Sequence, residues 1–239
     1  MKKFFFRLGI LLGVLGIVCG CFIALMSHVG MYIADPAFPY SYSVDSSDGK
    51  YLFVALGPKA REAVEGSYPD KNLEEARQLQ RKYPASGLYL NDGSTVPLWI
   101  VRNGAEPFYS SQSFVSSDGH HVVTSGWWAN AVSDEALTFY QGGGILKTYT
   151  VQDVASFARF LPGGHGHYDW CNDLIFDDRK KTLTLITKHY DRIVFDIATG
   201  TILSSFHPAL LVSLIMMSVG SLVLFRLVQK LIYKNRIKQ

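Results

Sequence analysis

From Leu8 to Ala34 the chain runs 27 residues without a lysine, arginine, aspartate or glutamate, and from Pro208 to Phe225 it runs another 18. About 20 apolar residues cross the hydrocarbon core of a bilayer, so both runs are read as transmembrane helices. The second continues into Leu227 and Val228, with Arg226 close enough to the boundary to snorkel. His207 followed by Pro208 reads as its entry, because a first helical turn tolerates a residue that lacks an N–H. What lies between the runs is long enough for one ordinary domain. The expected division is residues 1–34, a short tail and first helix; 35–205, a β domain; and 206–239, a second helix and tail.

Charge sets the orientation of this hairpin. Of 23 Lys and Arg, Lys2, Lys3 and Arg7 precede the first run, and Arg226, Lys230, Lys234, Arg236 and Lys238 fall at or after the end of the second. The middle keeps 15 basic residues against all 20 Asp and Glu, a net of −5 inside an overall +3. Short basic flanks stay in the cytoplasm. Both termini are therefore expected inside and the acidic middle outside, periplasmic or extracellular, with a bacterial inner membrane as the setting. A domain that is acidic between basic tails is not a nucleic-acid binder. The three cysteines, Cys19, Cys21 and Cys171, make no disulfide framework. Val18-Cys19-Gly20-Cys21 resembles a bacterial lipoprotein signal with Cys21 as the lipidated residue, an alternative to an uncleaved helix; the apolar Phe22 to Met26 after it favours the helix.

Along the first run Gly9, Gly13, Gly16, Gly20, Ala24 and Ser27 recur at steps of three and four, which returns them to one helix face. Small residues let another backbone approach closely, so this face is read as a packing seam for another membrane protein, a second copy or the second helix. Arg226, Lys230 and Lys234 form a basic stripe suited to headgroups.

The middle alternates short apolar and aromatic runs with turn residues, as antiparallel strands do. Tyr40 to Gly57 reads as two strands around Ser46-Ser47-Asp48-Gly49, and Phe114 to Trp127 repeats the pattern around Ser116-Ser117-Asp118-Gly119. Asp-Gly adopts the positive φ of a tight hairpin without strain. Leu137 to Tyr140 with Ile145 to Tyr149, and Ile193 to Asp196 with Ile202-Leu203, read as further hairpins; Asp173 to Phe176 and Leu183 to Thr187 supply two strands more. Two helical insertions are expected, Asn72 to Tyr83 and Thr150 to Phe160, each packed on a sheet.

Ser46-Ser-Asp-Gly-Lys-Tyr-Leu-Phe-Val54 and Phe195-Asp-Ile-Ala-Thr-Gly-Thr-Ile-Leu203 resemble the first hairpin and the last turn of blades in WD40-like or YVTN-like β-propellers, over less than half of the chain. The resemblance implies blade-like antiparallel sheets in a partial or small propeller-like, mainly β domain. Two complete blades are legible, and one partial blade from Tyr40 to Gly57 with Gly87 to Arg102. A closed propeller generally needs four or more.

Chemistry-bearing residues are sparse. His165, His167, Asp169 and Cys171 recur at every second position, so an extended chain would turn all four to one side as possible ligands for zinc or copper. The same stretch also reads as a structural loop with Trp170 in the core. Trp127-Trp128 is a candidate aromatic contact patch, and His120-His121 reads as a pair of exposed turn residues. No Gly-x-Ser-x-Gly elbow occurs, and Gly142 to Gly144 lacks the context of a phosphate loop. No cofactor is implied. The function expected is therefore that of a non-enzymatic accessory, assembly or interaction subunit whose partners are the bilayer and another membrane protein or a second copy. A sensor of an external ligand and a metal-binding protein are the alternatives.

Overall fold

The computed structural model describes residues 41–57, 70–102, 110–126, 129–161, 163–164 and 167–236. Among these residues the chain is mainly β, with three four-stranded antiparallel sheets, each formed by strands in sequence order and none closed on itself. The first holds β1 (Tyr42–Asp45), β2 (Tyr51–Ala55), β3 (Gly87–Leu90) and β4 (Pro97–Ile100). The second holds β5 (Ser110–Val115), β6 (His121–Gly126), β7 (Glu135–Gln141) and β8 (Gly144–Thr150). A two-stranded ribbon, β9 (Gly163–Gly164) with β10 (His167–Tyr168), precedes the third, which holds β11 (Cys171–Asp177), β12 (Thr182–Thr187), β13 (Arg192–Asp196) and β14 (Ile202–Phe206). The unit expected to be partial is therefore complete. β3 pairs with both β2 and β4 despite the insertion that separates it from β2.

Period-two alternation tells each face what to pack against. In the first sheet Phe53, Ala55 and Leu88 share a face that meets Val115, Val122 and Tyr140 of the second. The opposite face of the second sheet carries Val123, Leu137, Phe139 and Tyr149, which pack on Leu183, Leu185, Ile193 and Phe195 of the third. Ring centroids of Phe139 and Phe195 lie 5.5 Å apart, and those of Tyr149 and Phe195 5.1 Å. The sheets thus stack in series, with the second between the others.

The two ends of the stack differ. Helix α1 (Asp70–Lys82) begins two residues before Asn72 and covers the far face of the first sheet, where Val54 and Tyr89 meet Tyr83 and Leu79. The far face of the third sheet is half open. Its cross-strand rows, Asp173–Ile186–Arg192–Phe206 and Ile175–Thr184–Val194–Ser204, mix apolar and polar groups, with Ile175 and Phe206 49% and 56% exposed.

Neighbouring sheets are also latched by hydrogen bonds at their turns. Trp99 Nε1 donates to the Gly119 carbonyl (3.0 Å) and Tyr149 hydroxyl to the Gly200 carbonyl (2.8 Å). The two Asp-Gly turns of the repeated hairpins have the expected left-handed glycine, Gly49 and Gly119 each at φ 71°, and so does a third, at Gly93 (φ 91°). Closest of all is Gly143, at φ 83°. Its carbonyl accepts from the Arg102 N–H at 2.9 Å, and a Cβ there would sit 1.9 Å from the Ile100 carbonyl oxygen.

Between the second and third sheets the latch is ionic. Asp178 Oδ1 accepts from Ser116 hydroxyl (2.9 Å) and from Lys181 Nζ (2.8 Å), while its Oδ2 accepts from the Ser117 N–H (3.1 Å) and hydroxyl. Lys181 Nζ also donates to Ser116 Oγ at 2.6 Å. Beside it His121, expected to be exposed, is buried: its Nδ1 lies 2.8 Å from Asp118 Oδ2, because β6 turns His121 inward while His120 stays out.

The second insertion departs from a single helix over Thr150 to Phe160. Thr150 caps it, its N–H and hydroxyl both donating to Asp153. Yet α2 (Val151–Val154) is one turn long and is followed by an extended Ala155, a left-handed Phe157 (φ 51°) and a 3₁₀ turn, Ala158–Phe160. The reason is a competing acceptor. The Ser156 N–H, which a continuing helix would direct to residue 152, donates instead to the buried Asp191 carboxylate at 2.7 Å.

From β14 the chain passes through His207 into α3 (Pro208–Arg236), 29 residues and about 43 Å long at 1.5 Å per residue. Leu211, Val212, Leu214, Ile215, Val219, Leu222, Val223 and Phe225 are all more than half exposed along it. Counted over the described side chains alone, no helix is long and apolar enough to cross a membrane. In α3 that run is interrupted at Ala209, Ser213, Met216, Met217 and Leu224, whose side chains lie outside the description. The sequence itself carries no charge from Pro208 to Phe225. The first expected membrane helix, with Gly9, Gly13, Gly16, Gly20, Ala24 and Ser27, lies outside the described residues.

Two stability predictions follow from the latches. Gly143→Ala should destabilise the protein by about 2–4 kcal/mol, combining left-handed strain with a backbone collision, read as a lowered thermal midpoint of the purified chain. Acid should loosen the junction of the second and third sheets. Burial alone would raise the Asp178 carboxyl, but hydrogen bonds from Lys181, Ser117 and Ser116 outweigh it and hold the group below its ordinary 3.8. Asp118 is likewise held low, against burial, by the His120 and His121 N–H groups and the His121 ring. A depressed carboxyl contributes stability above its unfolded value and loses it as pH falls through the folded one. The thermal midpoint should therefore drop on acidification below about pH 4, and Asp178→Asn should lower it near neutrality while making the acid decline shallower.

Candidate functional site

Where α3 leaves the sheets, three elements converge on one carboxylate. Asp191 immediately precedes β13, at the end of the tight turn Thr187 to Asp191, and is fully buried. Its Oδ2 accepts from the Ser156 N–H (2.7 Å) and the Thr187 hydroxyl (3.1 Å), and its own N–H donates to Thr187 Oγ1 at 3.0 Å. Its Oδ1 lies 3.1 Å from His207 Nδ1, a close contact off hydrogen-bond geometry. Ser156 Oγ is 3.0 Å from the same ring nitrogen, and His189 Nδ1 is 2.7 Å from the Ser156 carbonyl. The loop after α2, the β12–β13 turn and the first residue before α3 are thereby tied together.

Serine, histidine and aspartate meet here, but not as a nucleophile relay. A relay needs the serine at one imidazole nitrogen and the acid at the other, so that the ring carries a proton between them. Here Ser156 and Asp191 both face Nδ1, so the arrangement is a joint that fixes the root of α3.

The expected ligand series is described only in part. His165 lies outside the described residues, as does the side chain of His167, whose backbone pairs with Gly164 in the ribbon. Asp169 is engaged by Lys188 Nζ at 3.2 Å. Cys171 is half-buried against the main core, where burial, reinforced by Asp173, pushes its thiol up to about 12. Among the described residues no group of three or more His, Cys, Asp or Glu is placed to hold a metal ion. Trp170, between them, is buried and donates from Nε1 to the Gly126 carbonyl at 3.2 Å, as a structural loop requires. Trp127 and Trp128 lie outside the described residues.

A second feature is a groove of about 560 Å³ between α1 and β1, with Ser41, Ser43, Glu75, Gln78, Lys82 and Tyr83 among its lining residues. It mixes hydroxyl, carboxylate, amide and ammonium groups over an apolar floor that includes Leu52 and Leu79. Sequence reasoning missed both the joint and the groove. Ser156, Asp191 and His207 are separated by 35 and 16 residues and share no motif; the one legible sign was the His-Pro entry to α3.

No protein-family profile and no curated protein matches the chain.

The thiol result is directly measurable. A thiol raised to about 12 carries roughly a thousandth of the thiolate of an ordinary cysteine near pH 8. Peptide-level mass spectrometry of the folded chain treated with iodoacetamide should find Cys171 modified more than about tenfold more slowly than after denaturation.

Proposed function

We propose that this chain is a non-enzymatic, membrane-anchored accessory or assembly subunit, which presents a small, open, propeller-like β domain outside the cytoplasm to a membrane complex. The observation that carries this reading is the direct passage from β14 into the long α3. That helix exposes aliphatic side chains over most of its length and is tied at its root to the sheets by Asp191. Exposed aliphatic surface on such a scale is unfavourable in water and is what lipid solvates. The uncharged stretch from Pro208 to Phe225, about 27 Å as helix, matches a hydrocarbon core of about 30 Å. The basic residues beyond it suit the cytoplasmic side.

The three consecutive four-stranded sheets support the blade reading. Each is a meander in sequence order, and adjacent sheets join through aromatic donors and turn carbonyls. The half-open far face of the third sheet offers an accessory subunit a contact surface that α1 denies to the first. The role as a subunit also draws on the small-residue seam of the first run, Gly9 to Ser27.

A second reading, an extracytoplasmic sensor or ligand-binding domain, is favoured by the groove between α1 and β1. Its polar lining suits a small polar ligand or a short extended peptide.

Two measurements test the leading reading. Protease added outside intact spheroplasts should cleave the β domain and spare both tails. Affinity purification of the full chain in mild detergent should recover a stoichiometric protein partner or a homo-oligomer. Protection of the β domain, or recovery of a lone monomer, would overturn it.

A further inference from the structure

Three exposed aromatic residues are the immediate chain neighbours of the three residues that make the joint: Phe157 follows Ser156, Tyr190 precedes Asp191 and Phe206 precedes His207. They are 42%, 71% and 56% exposed. Because their neighbours converge on one carboxylate, the three residues stand in the chain beside the root of α3. We propose that this end of the β domain docks on the phospholipid surface, with Tyr190 and Phe206 seated among the headgroups and Phe157 beside them. The inference rests on the reading that α3 crosses the bilayer.

The backbone carries the first argument. Phe157 and Tyr190 both stand in left-handed conformation, φ 51° and 62°, which is costly for bulky side chains and would suit glycine or asparagine better. The conformations are held by surrounding bonds: Tyr190 N–H to the Thr187 carbonyl at 2.9 Å, Asp191 N–H to Thr187 Oγ1 at 3.0 Å and Ser156 N–H to Asp191 at 2.7 Å. Strain kept at exposed aromatic positions points to a use for the rings.

Depth carries the second. If hydrocarbon begins at Pro208, the headgroup layer, roughly 5–8 Å thick on each side, covers the residues just before it, where Phe206 lies and to which Tyr190 and Phe157 are tied through His207. Aromatic side chains with an apolar body and, in tyrosine, a polar tip favour that layer.

Charge agrees. Arg159 and Arg192 are exposed at this end, and Arg192 lies across from Phe206 in the strand register. Of the acids at this end, Asp191 is buried in the joint and Asp169 is engaged by Lys188, while the exposed Asp173 stands two strands away from Arg192 in the same row. Guanidinium groups beside aromatic rings suit phosphate oxygens, on a domain that is otherwise acidic.

Photo-crosslinking in native membranes tests this with the full chain. p-Benzoylphenylalanine is placed singly at Tyr190, at Phe206, at Val219 within α3, and at Val96 in the exposed β3–β4 turn, and adducts are identified by mass after irradiation. Positions 190 and 206 should give phospholipid adducts at least about fivefold above position 96, as the interfacial preference of aromatic side chains requires, and position 219 should give them too. Lipid at 219 with none at 190 and 206, or with protein adducts there instead, overturns the docking and leaves the crossing intact. Absence of lipid at 219 overturns the crossing, and the docking with it.

Discussion

The two central strands of the second sheet are buried on both faces, and the rest of the domain follows from that. β6 from His121 to Ser125 and β7 from Ala136 to Tyr140 are buried at every position. A strand buried on both faces needs a layer on each. Val122 and Tyr140 require the first sheet, and Val123 and Phe139 require the third. Truncating a buried phenylalanine costs about 3–5 kcal/mol, whereas a single neutral hydrogen bond contributes about 1 kcal/mol net. Apolar burial therefore decides that the sheets stack. The latches at Gly119, Gly143, Gly200 and Asp178 decide how closely and at what angle, because each fixes a named carbonyl or carboxylate against at least one donor of the neighbouring sheet.

The outer sheets solve the problem of having a neighbour on one side only, and they solve it differently. In the third sheet β12 alternates cleanly: Leu183, Leu185 and Thr187 are buried, and Thr182, Thr184 and Ile186 are half-exposed. Threonine, Asp173 and Arg192 on the far face remain hydrated, so the stack can end there without a fourth sheet. The first sheet cannot end in the same way, since Val54 and Tyr89 on its far face are fully buried. α1 supplies the missing layer through Ala76, Leu79 and Tyr83, and Tyr89 completes its own bonding by donating to the Ala85 carbonyl at 2.6 Å. Three sheets and a helix are thus sufficient for the apolar surface in hand, with no need for a closed ring.

These differences explain what could be read in the sequence. The strands were legible because their periodicity is local. The Asp-Gly turns, Gly142 to Gly144 and the pairing of Ile193 to Asp196 with Ile202-Leu203 follow from residues a few positions apart. The completeness of the first sheet was harder, because β3 joins β2 across a long insertion whose helix gives no hint of its partner. The break after Val154 was not legible. Local signals there favour a helix, with Thr150 as a cap and Asp153 to accept from it, and it is Asp191, 35 residues away from Ser156, that withdraws the next backbone donor. His121 illustrates the same limit: its position after Asp-Gly suggests a turn, while the strand that begins there turns it into the interior.

That one carboxylate also settles how rigidly the sheets are joined to α3. Burying a polar group is costly unless it is hydrogen-bonded, and Asp191 is fully buried. It persists because it gathers a backbone N–H from the α2 loop, a hydroxyl from its own turn and the imidazole before Pro208. Removing any one of them would leave a buried carboxyl group less well satisfied, so the three segments hold position together. Only His207 separates β14 from α3, and that residue belongs to the joint. The helix therefore cannot swivel freely beneath the domain: its direction is set by the third sheet, and through the stacked aromatic core by the other two. Whatever environment α3 occupies, the orientation of the half-open far face and of the aromatic residues around the helix root is fixed by the same contact.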